Sequence, residues 1–181
     1  MNLGLTPKTA SVKLANGSNG NIQTAQLMAK VARQYSSHPV VRQLALNILL
    51  AHNVKANYFK DEALAIARYV KSKIRYVRDI NRIETLYSPL TLIDQIKRGV
   101  AQADCDDYAT LIATLLLSIG HSPFFKIIKY QAGMGPYAHV YVVVNEKNPN
   151  EERKFIALDG IIKDKPIGFE IKHAESKLIA I

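Results

Sequence analysis

The stretch Ala103-Asp104-Cys105-Asp106-Asp107-Tyr108-Ala109-Thr110-Leu111 decides how this chain is read. A polar, acidic approach opens an apolar run that continues to Ile119 and stops at Gly120. Such a run is a buried helix, here over residues 105–119, with Asp104 as its cap and Gly120 just past its end. The chain's single cysteine falls in the first turn. There the backbone N–H groups have no partner inside the helix and the dipole is positive, so a thiolate is favoured. Asp106 and Asp107 act the other way, since a nearby anion raises a thiol pKa. A nucleophile at this position requires them to point away from the sulfur.

Upstream of this helix the pattern is helical. Asn21 can cap a helix over residues 22–35, with Leu27, Met28, Val31 and Tyr35 at helical spacing. Pro39 suits the first position of a second helix, whose stripe is Val40, Leu44, Ile48 and Leu49. Leu64, Ala67, Tyr69, Val70 and Ile74 give a third over residues 61–77, and Thr91 can cap a short fourth to residue 97, ended by Gly99.

Downstream the period shortens. Residues 124–130, 138–145 and 154–158 are β-branched and aromatic, and a last short strand is expected over 168–172. Gly133-Met134-Gly135-Pro136 reads as a turn and residues 148–153 as a hairpin tip. Helices first and consecutive strands after predict an α+β fold, an antiparallel sheet packed on the helices.

The sheet region supplies two partners for the thiol. His139 stands at the start of Ala138-His139-Val140-Tyr141-Val142-Val143-Val144, and Asp159 ends Phe155-Ile156-Ala157-Leu158-Asp159. Val140, Val142 and Val144 share the apolar, core face, which leaves His139 on the more open side. A helix-borne thiol, a strand-borne imidazole and a strand-end carboxylate are the nucleophile, base and orienting group of thiol catalysis. Singly, each has a plainer reading: an inert buried cysteine, a structural histidine, an Asp-Gly turn. One cysteine without a close-spaced ligand pair does not suggest a structural zinc site, and no cofactor is expected.

Composition bounds the rest. A chain of 181 residues, 48% hydrophobic, can build a core without disulfides, which a lone cysteine could not form internally. The net charge of +9 suits attraction to nucleic acid, cell-wall polymer or an acidic partner. The bases are spread without a run of five, and the aromatics are not interleaved with them, so there is no specific nucleic-acid signal and the charge reads as a solvated surface. The N-terminus lacks the charged start and apolar core of a signal peptide, and no apolar run reaches a membrane span. A cytoplasmic location is the expectation.

The quoted residues resemble a known family. Asp104-Cys105-Asp106-Asp107-Tyr108-Ala109, followed by Leu111 and the Leu115-Leu116-Leu117-Ser118-Ile119-Gly120 helix end, is similar to the nucleophile motif of the transglutaminase-like superfamily. That motif typically reads Gly-x-Cys-x-Asp-x-Ala-x-Leu. Ala138-His139-Val140-Tyr141-Val142 and Ala157-Leu158-Asp159 resemble its histidine and aspartate strands, and Ile74-Arg75-Tyr76-Val77-Arg78-Asp79 with Pro89-Leu90-Thr91-Leu92 resembles its lead-in. The resemblance spans about residues 60–160. It implies a papain-like core with Cys105 as nucleophile, His139 as base then acid, and Asp159 as orienter. More narrowly, the arrangement resembles short transglutaminase-like proteins of tailed phages and prophages, whose helical N-terminus precedes the same core. Ala103 stands where the family has glycine, and the chain has no tryptophan to line the site. One oxyanion donor is the Cys105 N–H, with Gln102 and Gln95 the nearest upstream amides for a second.

The expected organisation is a flexible arm over 1–20, a helical extension over 21–58 and a transglutaminase-like catalytic core over 59–181. The expected activity is thiol-dependent amide hydrolysis or acyl transfer on a protein or peptide, with hydrolysis the default because water is always present. A virion or assembly protein that keeps the fold without the chemistry, docking on phage structural proteins, is the alternative. Cleavage of cell-wall peptides is a third, weakened by the absence of a recognisable wall-binding domain. A thiol in contact with the His139 ring favours the enzyme; a separated pair favours the scaffold.

Overall fold

The computed structural model describes residues 14–78, 85–133, 135–146 and 154–181. The expected hairpin tip at 148–153 and most of the arm lie outside these residues. The first helix, α1 (Gly17–Ser36), starts five residues before the expected Ile22, and Asn16 rather than Asn21 stands at its N-cap. Pro39 opens α2 (Pro39–Ala51), where the His38 ring accepts the Val40 N–H. The third helix, α3 (Phe59–Lys73), ends earlier than its apolar pattern implies. Ile74 turns to extended backbone and Arg75-Tyr76 becomes a short strand, β1 (Arg75–Tyr76), because the Arg75 and Val77 N–H groups bond to Ala101 and Ala103 carbonyls. The partner strand, β2 (Gln102–Ala103), runs parallel to it.

Between these strands lies α4 (Pro89–Arg98). Its cap is Ser88, whose side chain accepts the Thr91 N–H, so the helix begins before the expected Thr91. Gly99 ends it with φ 72°, the left-handed conformation that glycine adopts without a Cβ penalty. The central helix, α5 (Cys105–Ser118), follows at once, and Asp104 caps it as expected by accepting the Asp106 and Asp107 N–H groups at 3.1 and 3.2 Å. Residues Leu111, Ile112, Leu115 and Leu116 of α5 are fully buried against α1, α2, α3 and the sheet.

The sheet holds β3 (Phe124–Lys129), β4 (His139–Glu146), β5 (Lys154–Leu158) and β6 (Glu175–Ala180) in the order β5-β4-β3-β6, antiparallel throughout. The last strand is displaced from the expected 168–172. Gly168, at φ 102°, turns the chain, and Glu170 is drawn into bonds with Tyr141 and Lys126 instead of a ladder. Helices and an antiparallel sheet thus form the expected α+β architecture, with α5 packed on the sheet. Val140, Val142 and Val144 face the main core, as their alternation predicts. The opposite face is not open, however. Tyr141 and Val143 are buried with Ile128 and Ala157 under Ile171, because the segment before β6 crosses over them.

Candidate active site

The N-terminus of α5 and the start of β4 meet at one cavity of about 530 Å³, lined by both Cys105 and His139. Cys105 is the first residue of α5 and is partly exposed. His139 is the first residue of β4, and its side chain is almost completely buried. Its Nε2 lies 2.7 Å from Asp159 Oδ2. With the carboxylate ionised, Nε2–H donates, and Nδ1 is left as the nitrogen free to take a proton.

Asp159 sits immediately after β5 and is fixed from several sides. Its Oδ1 accepts the Ile161 N–H at 3.1 Å, closing an Asx turn. Gly160 packs on the Tyr108 ring so closely that an added Cβ would stand 2.9 Å from Cδ1. The Tyr108 hydroxyl donates to the Ile74 carbonyl, tying α5 to the end of α3. Lys71 of α3 donates to the Ile162 and Lys165 carbonyls at 2.5 and 2.7 Å, anchoring the loop that follows. The His139 ring itself lies 5.5 Å from the Tyr141 ring, centroid to centroid.

The two aspartates after the thiol behave differently. Asp107 points away, its Oδ1 accepting the Tyr87 N–H at 2.7 Å. Asp106 does not: the thiol donates to its Oδ1 at 3.4 Å. Burial pushes the Cys105 thiol well above its ordinary pKa, and the Asp106 and Asp104 charges push it further, against the opposing pull of the Val140 backbone N–H. The helix terminus therefore does not by itself deliver the thiolate that its position suggests. Among the described residues no hydrogen bond joins Sγ to the His139 ring.

The sequence-derived residues separate into two groups. Cys105 and His139 share the cavity and Asp159 is bound to His139, whereas Gln95 and Gln102 do not line it. Gln95 lies within α4, and Gln102 is exposed on β2. Sequence reasoning missed that Asn21, Thr24 and Met28 of α1 line the cavity, and that Tyr76, Arg78 and Tyr130 do. Only the alternation Tyr76-Val77-Arg78, which puts the first and third on one side of an extended segment, pointed to part of this set.

Side-chain atoms of Asp104, Cys105 and Asp106 lie within 4.8 Å of one another. The set lacks imidazole, and Asp104 Oδ1 already accepts two helix N–H groups, so the arrangement is a capped helix end rather than a metal centre. No described helix is long and apolar enough to cross a membrane.

A family model described as a transglutaminase-like domain matches residues 45–149, more than half of the chain. No curated protein matches in sequence. Among solved structures, a Cytophaga hutchinsonii protein described as a candidate cysteine protease is similar with a TM-score of 0.46 and 16% identity, over 78% of this chain. The chain spans 40% of that protein's length. By the match over residues 45–149, which takes in α5, β3 and all of β4, the chain belongs to the transglutaminase-like domain family.

Proposed function

We propose that the protein is a thiol-dependent amide hydrolase or acyltransferase. Cys105 is the nucleophile, His139 the base and then the acid, and Asp159 the group that orients and stabilises the imidazolium. The observation that carries this reading is the buried 2.7 Å His139–Asp159 pair opening on the same cavity as the thiol. Because Nε2 is committed to Asp159, Nδ1 takes the thiol proton as Sγ attacks the substrate carbonyl carbon. The tetrahedral intermediate then collapses, the C–N bond breaks, and the leaving amine receives the proton from Nδ1. Water, deprotonated by the same nitrogen, releases the acyl group as the acid; an amine in its place gives transfer. The Cys105 backbone N–H, at the first helical position, is one oxyanion donor.

Since the resting thiol donates to Asp106, attack requires Sγ to turn from that carboxylate toward the imidazole. This makes His139 a general base on a neutral thiol rather than the partner of a standing ion pair. A protein or peptide substrate and a phage or prophage source belong to the same reading. The thiol turned to Asp106, with no hydrogen bond to the His139 ring among the described residues, meets the separated-pair criterion and so favours a second reading, a virion or assembly protein that keeps the fold without turnover.

A panel of acyl electrophiles and amide substrates separates the two. The enzyme reading expects labelling at Cys105 that Cys105→Ala abolishes and His139→Ala reduces at least about 10²-fold, the scale of general-base assistance. Labelling that is indifferent to His139 points to the scaffold.

A further inference from the structure

The cavity holds one cation, Arg78, and two tyrosines that the proposed triad does not use, together with the carboxylates of Asp104 and Asp106. Tyr76 of β1 and Arg78, two residues on along the same extended segment, both line it, and so does Tyr130 just after β3. The Arg78 guanidinium lies within hydrogen-bonding reach of the Tyr76 oxygen. An arginine donates to that oxygen and leaves the phenol O–H itself free to donate elsewhere. Tyr130 stands close enough to feel the Asp159 carboxylate and, in the opposite sense, the Arg78 guanidinium. Arg78 makes no ion pair among the described residues. The carboxylates that share the cavity, Asp104 and Asp106, have their Oδ1 atoms turned to helix N–H groups and to the thiol.

We infer that Arg78, Tyr76 and Tyr130 form a carboxylate-binding subsite beside Cys105, and that the substrate bears a carboxylate near the bond under attack. A guanidinium fork flanked by two phenol hydroxyls offers several donors and one positive charge, which matches a planar carboxylate and not a neutral amide. The acidic group is either a side chain of an acidic residue next to the scissile bond or a free C-terminus. This inference rests on the assignment of Cys105 as a reactive thiol in the cavity, and adds the class of substrate.

Iodoacetate and iodoacetamide test it without a known substrate. They alkylate the same thiol by the same displacement of iodide, and differ in a carboxylate against an amide. The ratio of their rates at one pH cancels any change in thiol ionisation. Arg78→Gln should lower the iodoacetate-to-iodoacetamide ratio about tenfold, the scale of one charge contact a few ångströms away at a protein surface. Arg78→Lys should lower it less, and Tyr130→Phe by about twofold. Lys97→Gln, an exposed cation on α4 outside the cavity, should leave the ratio unchanged. An unchanged ratio in Arg78→Gln, or an equal fall in Lys97→Gln, overturns the subsite while leaving Cys105 a reactive thiol. A native protein alkylated by neither reagent overturns both. With the ratio as expected, paired peptide substrates with an acid or an amide beside the scissile bond assign the carboxylate to side chain or C-terminus.

Discussion

Cys105 donates its thiol proton to Asp106, one residue along the same helix, while the His139 ring is held by Asp159. The helix terminus favours the thiolate, but burial and two neighbouring carboxylates oppose it, and the opposition wins in the resting state. Removing the Asp106 charge should therefore expose the helix effect. Asp106→Asn is expected to move the pH midpoint of iodoacetamide alkylation down. Alkylation at about pH 7.5 should speed up roughly tenfold for every pH step of one by which that midpoint falls. The parent midpoint should lie above the free-thiol value of about 8.5. The same sign governs stability: a thiol whose folded pKa is raised stabilises the fold fully below the unfolded value and loses that contribution as pH rises toward the folded one. A variant whose alkylation curve overlays the parent's would remove Asp106 from the account.

Asp159→Asn should leave the fold standing and cut turnover sharply. The asparagine amide can donate to Nε2 and force the tautomer in which Nδ1 carries the proton, and it cannot stabilise the imidazolium. The serine-protease precedent for that exchange is a loss of about 10⁴-fold. Thermal melting and acyl-substrate turnover, measured on one preparation, separate the effects. Full turnover at an unchanged melting temperature would reduce Asp159 to a turn residue.

Gly160→Ala should damage fold and site together. The new Cβ would meet the Tyr108 ring at 2.9 Å, and Tyr108 is held by its bond to Ile74. Overpacking of this kind costs about 1–3 kcal/mol, or several degrees of melting temperature at this chain length. Since Asp159 is the preceding residue, alkylation or turnover that depends on His139 should fall as well. A melting curve matching the parent's would show that the loop yields easily.

Much of this site was legible in the sequence because local chemistry fixes it. Asp104 caps α5 whatever surrounds it, and its pattern placed the thiol at the helix start. The valine alternation in β4 fixed which face meets the helices. What escaped was set by distant chain. Ile74 and Arg75 carry a helical pattern, yet the carbonyls of Ala101 and Ala103 draw the segment into β1. Glu170 leaves the ladder to bond Tyr141, and Ile171 leaves it to cover Tyr141 and Val143. That crossing buries the His139 face, which alternation alone left open. The direction of Asp106 toward the sulfur is a rotamer outcome that no spacing encodes.

The N-terminal helix is the last case, and it bears on how the chain can be cut. Residues 21–58 read as a helical extension before a core over 59–181, and the family match itself begins only at residue 45. Yet Ala25, Met28, Ala29 and Ala32 of α1 are buried in the same apolar cluster as Leu111, Leu115 and Leu116 of α5. Asn21 and Thr24 line the cavity beside Cys105. An α1 that packs on α5 and lines the cavity belongs to both core and cavity. Met28→Ala should cost about 2–5 kcal/mol, the range for truncating a fully buried side chain. Removal of residues 2–36 should leave a chain that fails to melt cooperatively and whose Cys105 reacts like an unstructured thiol. Leu50→Ala, on an α2 residue 74% exposed, is the control and should shift melting little. A truncated protein that keeps a sharp transition and the parent's Cys105 alkylation profile would restore α1 to the status of an appendage.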